Sequence, residues 1–222
     1  MRHIYFAAVA LVTGGLTACS TDVGHTNDVT PGAATGGNQA QCEALVGSTL
    51  GIGAVARAEY IPKGQDLIAD AQRALLKAID SRLAALSIPA PKNICRVSAE
   101  LRPVPGSLVK IQVWLPDNWN GKMYASGGGG FNGGLFAAPA ALYEPTIKGY
   151  ASVVTDVGHD MSNSAEFARN REQFIDYGYR GNHVTAVFTK NLINAYYGKP
   201  ARLAYFVGGS NGGREALVEA RR

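Results

Sequence analysis

The stretch Leu203-Ala204-Tyr205-Phe206-Val207-Gly208-Gly209-Ser210-Asn211-Gly212-Gly213-Arg214 constrains this chain more than any other. Residues 203–207 form a short apolar run, which predicts a buried strand. Gly208-Gly209-Ser210-Asn211-Gly212 then fits G-x-S-x-G, and Glu215-Ala216-Leu217-Val218-Glu219-Ala220-Arg221 favours helix. A serine between strand and helix, flanked by glycines, predicts a nucleophile elbow with strained dihedrals and close backbone approach. Ser210 is the expected nucleophile, and the Asn211 backbone N–H is expected to face a developing oxyanion. The chain carries 27 glycines, so the bare pattern has little weight without its strand and helix.

A second glycine cluster, Gly127-Gly128-Gly129-Gly130-Phe131-Asn132-Gly133-Gly134, follows a short apolar run at residues 122–126. Glycines let a backbone N–H approach a tetrahedral oxygen closely, so this loop is expected to supply the second oxyanion donor from Gly129 or Gly130. A rival reading is available. Gly128-Gly129-Gly130-Phe131-Asn132-Gly133 also fits G-x-G-x-x-G, and Asp156 ends the next strand, which imitates a dinucleotide-binding unit. Pro139 and Pro145 within the intervening helix, and an elbow left without a role, weigh against it.

The N-terminus reads as export. Met1-Arg2-His3 is a basic start, residues 4–11 are an apolar core too short to span a bilayer, and Leu16-Thr17-Ala18-Cys19 resembles a lipoprotein cleavage box. Residues 1–18 are therefore expected to be a signal peptide. Cys19 is the expected lipidation site and thus a membrane anchor; an ordinary signal peptide would leave its thiol unpaired. Residues 19–40 are small, polar and glycine-rich, which suits a flexible tether, and residues 41–222 are left for the folded domain. In an exported chain Cys42 and Cys95 suggest a disulfide, worth roughly 4 kcal/mol by loop entropy. A net charge of +4 with scattered basic residues gives no nucleic-acid footprint.

Along that domain, residues 65–86 predict a long amphipathic helix, with Leu67, Ile68, Ala71, Leu75, Leu76, Ile79, Leu83 and Leu86 on one face as a core cover. Residues 41–62 have no clear assignment. Residues 97–104 and 108–115 flank Pro105-Gly106-Ser107 and predict a hairpin, its second strand at an edge or half-exposed. Strands are expected over 122–126, 150–156 and 203–207, and a helix over 182–197 with Val184, Val187, Phe188, Leu192 and Ala195 on its apolar side. The glycine loop then follows the third predicted strand and Ser210 the fifth. That is the order of the first half of an α/β-hydrolase, a predominantly α/β fold. In that fold the acid and the histidine base follow the serine in the chain. The twelve residues after Ser210 hold neither His nor Asp. His183 near a helix start and His159 beside Asp156 are poor candidates for the base, so the chain is expected to stop before its catalytic acid, base and last strands.

From Cys95 onward the sequence resembles the tannase/feruloyl esterase family of serine esterases. The resemblance rests on Cys95-Arg96-Val97, on Val113-Trp114-Leu115-Pro116 with Trp119-Asn120-Gly121, and on the Gly127-Gly128-Gly129-Gly130-Phe131 loop. Thr155-Asp156-Val157-Gly158-His159, Tyr197-Gly198 and the elbow stretch complete it. It implies a secreted hydrolase of aromatic, phenolic-acid esters with Ser210 as nucleophile. It also implies that the catalytic Asp and His, the last strands and a calcium-binding lid lie beyond Arg222, that no cofactor belongs to this segment, and that the segment alone is inactive. Where many members carry a cysteine before the nucleophile, stapled to one beside the catalytic histidine, this chain has Gly209. An alternative from another class is a non-catalytic envelope lipoprotein that keeps the fold for binding.

Overall fold

The structure is a computed structural model that describes residues 37–68, 70–160 and 166–222. The expected signal peptide, Cys19 and most of the expected tether lie outside the described residues. A seven-stranded sheet organises the rest, in the order β1-β2-β3-β4-β6-β5-β7. The strands are β1 (Thr49–Leu50), β2 (Gly53–Ile61), β3 (Ile94–Leu101), β4 (Val109–Pro116), β5 (Lys122–Ser126), β6 (Ala151–Thr155) and β7 (Leu203–Val207). β1 to β4 are antiparallel neighbours, β4 pairs antiparallel with β6, and β6, β5 and β7 run parallel. Counted from β3, the order is 1-2-4-3-5, with the glycine loop after the third strand and Ser210 after the fifth, as an α/β-hydrolase requires.

The helices are α1 (Gln39–Glu43), α2 (Asp70–Ile79), α3 (Ala138–Ile147), α4 (Arg171–Ile175), α5 (Gly181–Tyr197) and α6 (Asn211–Glu219). Strand alternation sorts the sheet into two faces. Cys95, Val97, Ala99 and Leu101 stand opposite Leu115, Val113, Ile111 and Val109, and all eight are buried in the core that contains Phe188, Leu192, Ile193 and Tyr196 of α5. The other face packs Trp114 and Ile94 with Ile61, Leu67, Ala138 and Leu142, under α3. Gly198 ends α5 in the left-handed conformation, φ 68°. Cys42 and Cys95 form a disulfide with 5.5 Å between Cα atoms, which joins α1 to β3. Gly37 packs so closely on Tyr196 that an added Cβ would lie 2.1 Å from the ring. The fold thus includes residues at the end of the expected tether.

Several expectations about elements change. The hairpin forms as predicted, but its second strand, β4, is interior: β6 hydrogen-bonds its other side and Trp114 is fully buried beneath the α3 crossover. The helix expected over 65–86 is shorter. Asp66 Oδ1 accepts from the N–H groups of Ile68 and Ile88, and this side-chain competition keeps the start out of helix. α2 begins at Asp70, and a 3-10 turn at Ser81–Ala85 follows it. Leu67 and Ile68 are buried, whereas Leu75, Ile79 and Leu86 are exposed, so α2 covers little core. β2, the longest strand, occupies the stretch left unassigned; its alanines and a bulge between Val55 and Arg57 blur the alternation. On α5, Val187 and Ala195 face outward.

β7 is the largest correction. It is not buried: it pairs with β5 alone, and Leu203, Tyr205 and Val207 are 49%, 42% and 47% exposed. No other element of the described residues covers its second edge.

Candidate active site

The chain leaves β7 through Gly208 and Gly209 and enters α6 at Ser210, which has φ 54° and ψ −123°. That region is strained for any residue with a Cβ and is held only where surroundings fix it. They do so here through backbone packing. A Cβ on Gly208 would lie 2.5 Å from the Gly212 carbonyl carbon. The Ser210 carbonyl accepts from the N–H groups of Gly213 and Arg214, at 3.1 and 3.3 Å, which starts α6 directly at the serine. Its side chain makes no capping bond to the helix.

Asn211, the next residue, is fixed on both sides of its amide. Its Oδ1 accepts from the Tyr177 hydroxyl at 3.0 Å and from Arg214 Nε at 2.8 Å, and its Nδ2 donates to Glu215 Oε1 at 3.0 Å. Arg214 in turn donates to the carbonyls of Gly178 and Tyr177 at 2.9 and 3.0 Å and lies 4.4 Å over the Tyr177 ring. Those carbonyls belong to a π-helical turn, Asp176–Arg180, that joins α4 to α5. Such turns leave the usual helical bonding pattern, and here the carbonyls serve the elbow.

The glycine loop lies directly on α6. Gly127 extends the sheet ladder by donating to the Val207 carbonyl at 2.9 Å, and a Cβ on Gly127 would sit 2.6 Å from the Gly212 Cα. Gly128 N–H donates to Glu215 Oε2 at 3.0 Å. The turn Gly129-Gly130-Phe131-Asn132 closes by an Asn132 N–H to Gly129 carbonyl bond of 2.8 Å, with Gly130 and Asn132 at positive φ. Gly129 and Gly130 are exposed, and no hydrogen bond among the described residues uses their N–H groups. The two stretches that the sequence singled out separately are thus one backbone-to-backbone joint. A cavity of about 310 Å³ opens beside the loop, lined by Gly128, Gly129, Leu135, Phe136, Ala138 and Val154 among others.

Neither histidine takes part in a bond to the serine. His183 Nδ1 lies 3.3 Å from Glu219 Oε1. His159 is buried, neither ring nitrogen makes a hydrogen bond of good geometry among the described residues, and the ring stacks on Phe167 at 4.1 Å and meets the Tyr177 ring edge-on. Burial pulls its pKa down, against the opposing pull of the Val157 and Phe131 carbonyls and Asp160. Burial also pushes the Asp156 carboxyl up to about 7, although it accepts from the Gly158 and Lys110 N–H groups. Asp156 therefore ties the end of β6 to the start of β4. Sequence reasoning missed the two groups that build the joint, Glu215 and Tyr177. Glu215 read only as a helix former; the buried carboxylate is visible only once the glycine loop lies against α6.

The strand order is that of an α/β-hydrolase fold, with a strained serine between β7 and α6. A profile described as tannase and feruloyl esterase matches residues 95–222, more than half of the chain, and the chain belongs to that family. Among its relatives are an uncharacterized esterase of Agrobacterium fabrum, 39% identical over 155 residues, which covers 61% of this chain and 27% of the relative. A probable feruloyl esterase B-2 of Aspergillus flavus is 30% identical over 162 residues, which covers 73% of this chain and 29% of the relative. The solved feruloyl esterase B of Aspergillus oryzae superposes with a TM-score of 0.65 at 24% identity, covering 80% of this chain and 33% of that one. The chain spans under a third of the length of these curated relatives.

Proposed function

We propose that residues 37–222 are the nucleophile-bearing part of a serine carboxylic-ester hydrolase that acts on aromatic, phenolic-acid esters. The observation that carries this reading is Ser210 at φ 54° and ψ −123° at the head of α6, with the glycine loop packed against the same helix. Ser210 Oγ attacks the ester carbonyl, the alcohol leaves, and an acyl-enzyme forms that water resolves. The N–H of Asn211 and that of Gly129 or Gly130 hold the oxyanion. A cavity of about 310 Å³ beside the loop, near the lower end of ligand-pocket sizes, suits an aromatic ring. The family membership and relatives named feruloyl esterase support an ester substrate.

The general base and its acid partner are assigned to none of the described residues, because no hydrogen bond links Ser210 to His183, which faces Glu219, or to His159, which is enclosed by aromatic rings. We place them in polypeptide outside residues 1–222, and the 222-residue chain alone is expected to lack turnover. Export with a lipid anchor on Cys19 completes the proposal; no helix of the described residues is long and apolar enough to cross a membrane. The test is hydrolysis of methyl ferulate and methyl gallate by the protein translated from the full reading frame around these residues. Ser210→Ala is expected to lower kcat by about 10⁴-fold or more. Turnover that survives this substitution, or turnover by the 222-residue chain alone, overturns the respective part. A binding lipoprotein would hydrolyse neither ester.

A further inference from the structure

We propose that Glu215 is a positioning residue whose carboxylate sets the oxyanion turn relative to Ser210. The proposal rests on the reading of Ser210 as the nucleophile. Glu215 is fully buried, and its two oxygens reach three separate points. Oε2 accepts from the Gly128 N–H at 3.0 Å; Oε1 accepts from Asn132 Nδ2 at 3.2 Å and from Asn211 Nδ2 at 3.0 Å. Arg214 Nη2 lies 4.0 Å away and offsets the buried charge. A carboxylate only accepts and has about four lone-pair sites, so it suits three converging N–H donors as no hydroxyl or amide can.

The placement of these donors gives the carboxylate its task. Gly128 and Asn132 bracket the turn that carries Gly129, Gly130 and Phe131. A side chain built on Gly129 or Gly130 would meet nothing within 4 Å, so the turn has no wall of its own. Apart from the edge-on contact of Phe131 with Phe167, 6.1 Å between ring centroids, its position is set at its two ends, and both ends bind Glu215. The third donor belongs to Asn211, which adjoins Ser210. One side chain thus ties both ends of the turn to the residue after the nucleophile. It also uses up the Gly128 N–H, which leaves the Gly129 N–H as the first loop donor available to an oxyanion.

Substitutions are expected to grade with the donors lost. In Glu215→Gln, the amide oxygen retains Gly128, and Asn132 can turn its own amide to accept. Asn211 cannot turn, because Tyr177 and Arg214 already hold its Oδ1. The expected loss is about 10-fold in kcat for Glu215→Gln and on the order of 10²–10³-fold for Glu215→Ala, with KM within about twofold, as for removal of an oxyanion donor. Leu192→Ala, a core change on α5, serves as control: it should lower Tm while leaving kcat unchanged below the transition. In parallel, amide exchange of Gly128 is followed in the labelled 222-residue chain, where protection should persist in Glu215→Gln and vanish in Glu215→Ala. A kcat of folded Glu215→Ala within twofold of the parent, or unchanged Gly128 protection, overturns the proposal. If the parent protein hydrolyses no ester, the nucleophile reading fails separately, and Gly128 exchange alone decides whether Glu215 holds the turn.

Discussion

The antiparallel and parallel halves of the sheet are built on different principles. β2, β3 and β4 bury alternating side chains in a continuous apolar core, stapled to α1 by Cys42–Cys95. β5 and β7 bury far less: Leu203, Tyr205 and Val207 stay exposed, and cohesion passes to backbone contact among Gly127, Gly208 and Gly212 and to the single carboxylate of Glu215. Side-chain packing is tolerant of small shifts because rotamers adjust, whereas contact between main chains leaves no slack. Substitutions in the first half are therefore expected to be better tolerated than substitutions at the glycine contacts of the second.

Removing the staple tests the first half. Cys42→Ser with Cys95→Ser should cost about 2–5 kcal/mol in urea denaturation while leaving Gly128 amide protection below the transition intact. Loss of that protection alongside stability would show that the halves are not separate in this sense.

Asp156 lies on the seam between them, since it bonds to Lys110 of β4 from the end of β6. Its folded pKa of about 7 is raised from 3.8, so the native state holds a proton that the unfolded chain has lost between those values. Stability from this group is therefore present below about pH 4 and declines as pH rises towards 7, by at most about 1.4 kcal/mol per unit. Asp156→Asn keeps the Oδ1 acceptor and should remove that decline, so the variant gains on the parent from pH 4 to 7 and the gap then stays constant. His159, whose pKa is lowered by burial, acts in the opposite direction, losing stability as pH falls through the ordinary imidazole range. Tm measured against pH for parent and variant isolates the Asp156 part, because His159 is common to both. Parallel curves would refute the assignment.

In the second half, Gly212→Ala places a Cβ 2.9 Å from the Gly127 carbonyl carbon and 3.0 Å from the Gly128 oxygen. A stability loss of about 1–3 kcal/mol is expected, with loss of Gly128 amide protection out of proportion to the change in Tm. The smallest effect is expected at α2, where Ile79 is 66% exposed: Ile79→Glu should change stability by no more than about 0.5 kcal/mol. A larger loss would restore α2 as a core cover.

Much of this was legible in the chain. The elbow, the glycine loop, the hairpin of β3 and β4, α5 and the disulfide each carry a local signature: a glycine spacing, a turn between alternating runs, a helical period or a cysteine pair. β2 escaped notice because alanines flatten its alternation, and the helix at residues 65–86 was overdrawn because Asp66 competes for backbone N–H groups that periodicity ignores. Trp114 looked outward by alternation alone, and only the α3 crossover explains its burial.

Local sequence determined where β3 to β7, their turns and the strained serine occur, because these depend on backbone preference and spacing over a few residues. Tertiary structure alone decided that the two glycine stretches touch, that Glu215 faces Gly128 across 87 positions, that Asp156 spans β4 and β6, and that β7 lies open. Those outcomes depend on which strand lies beside which, and strand order is set by the packing of the whole sheet, not by any single segment.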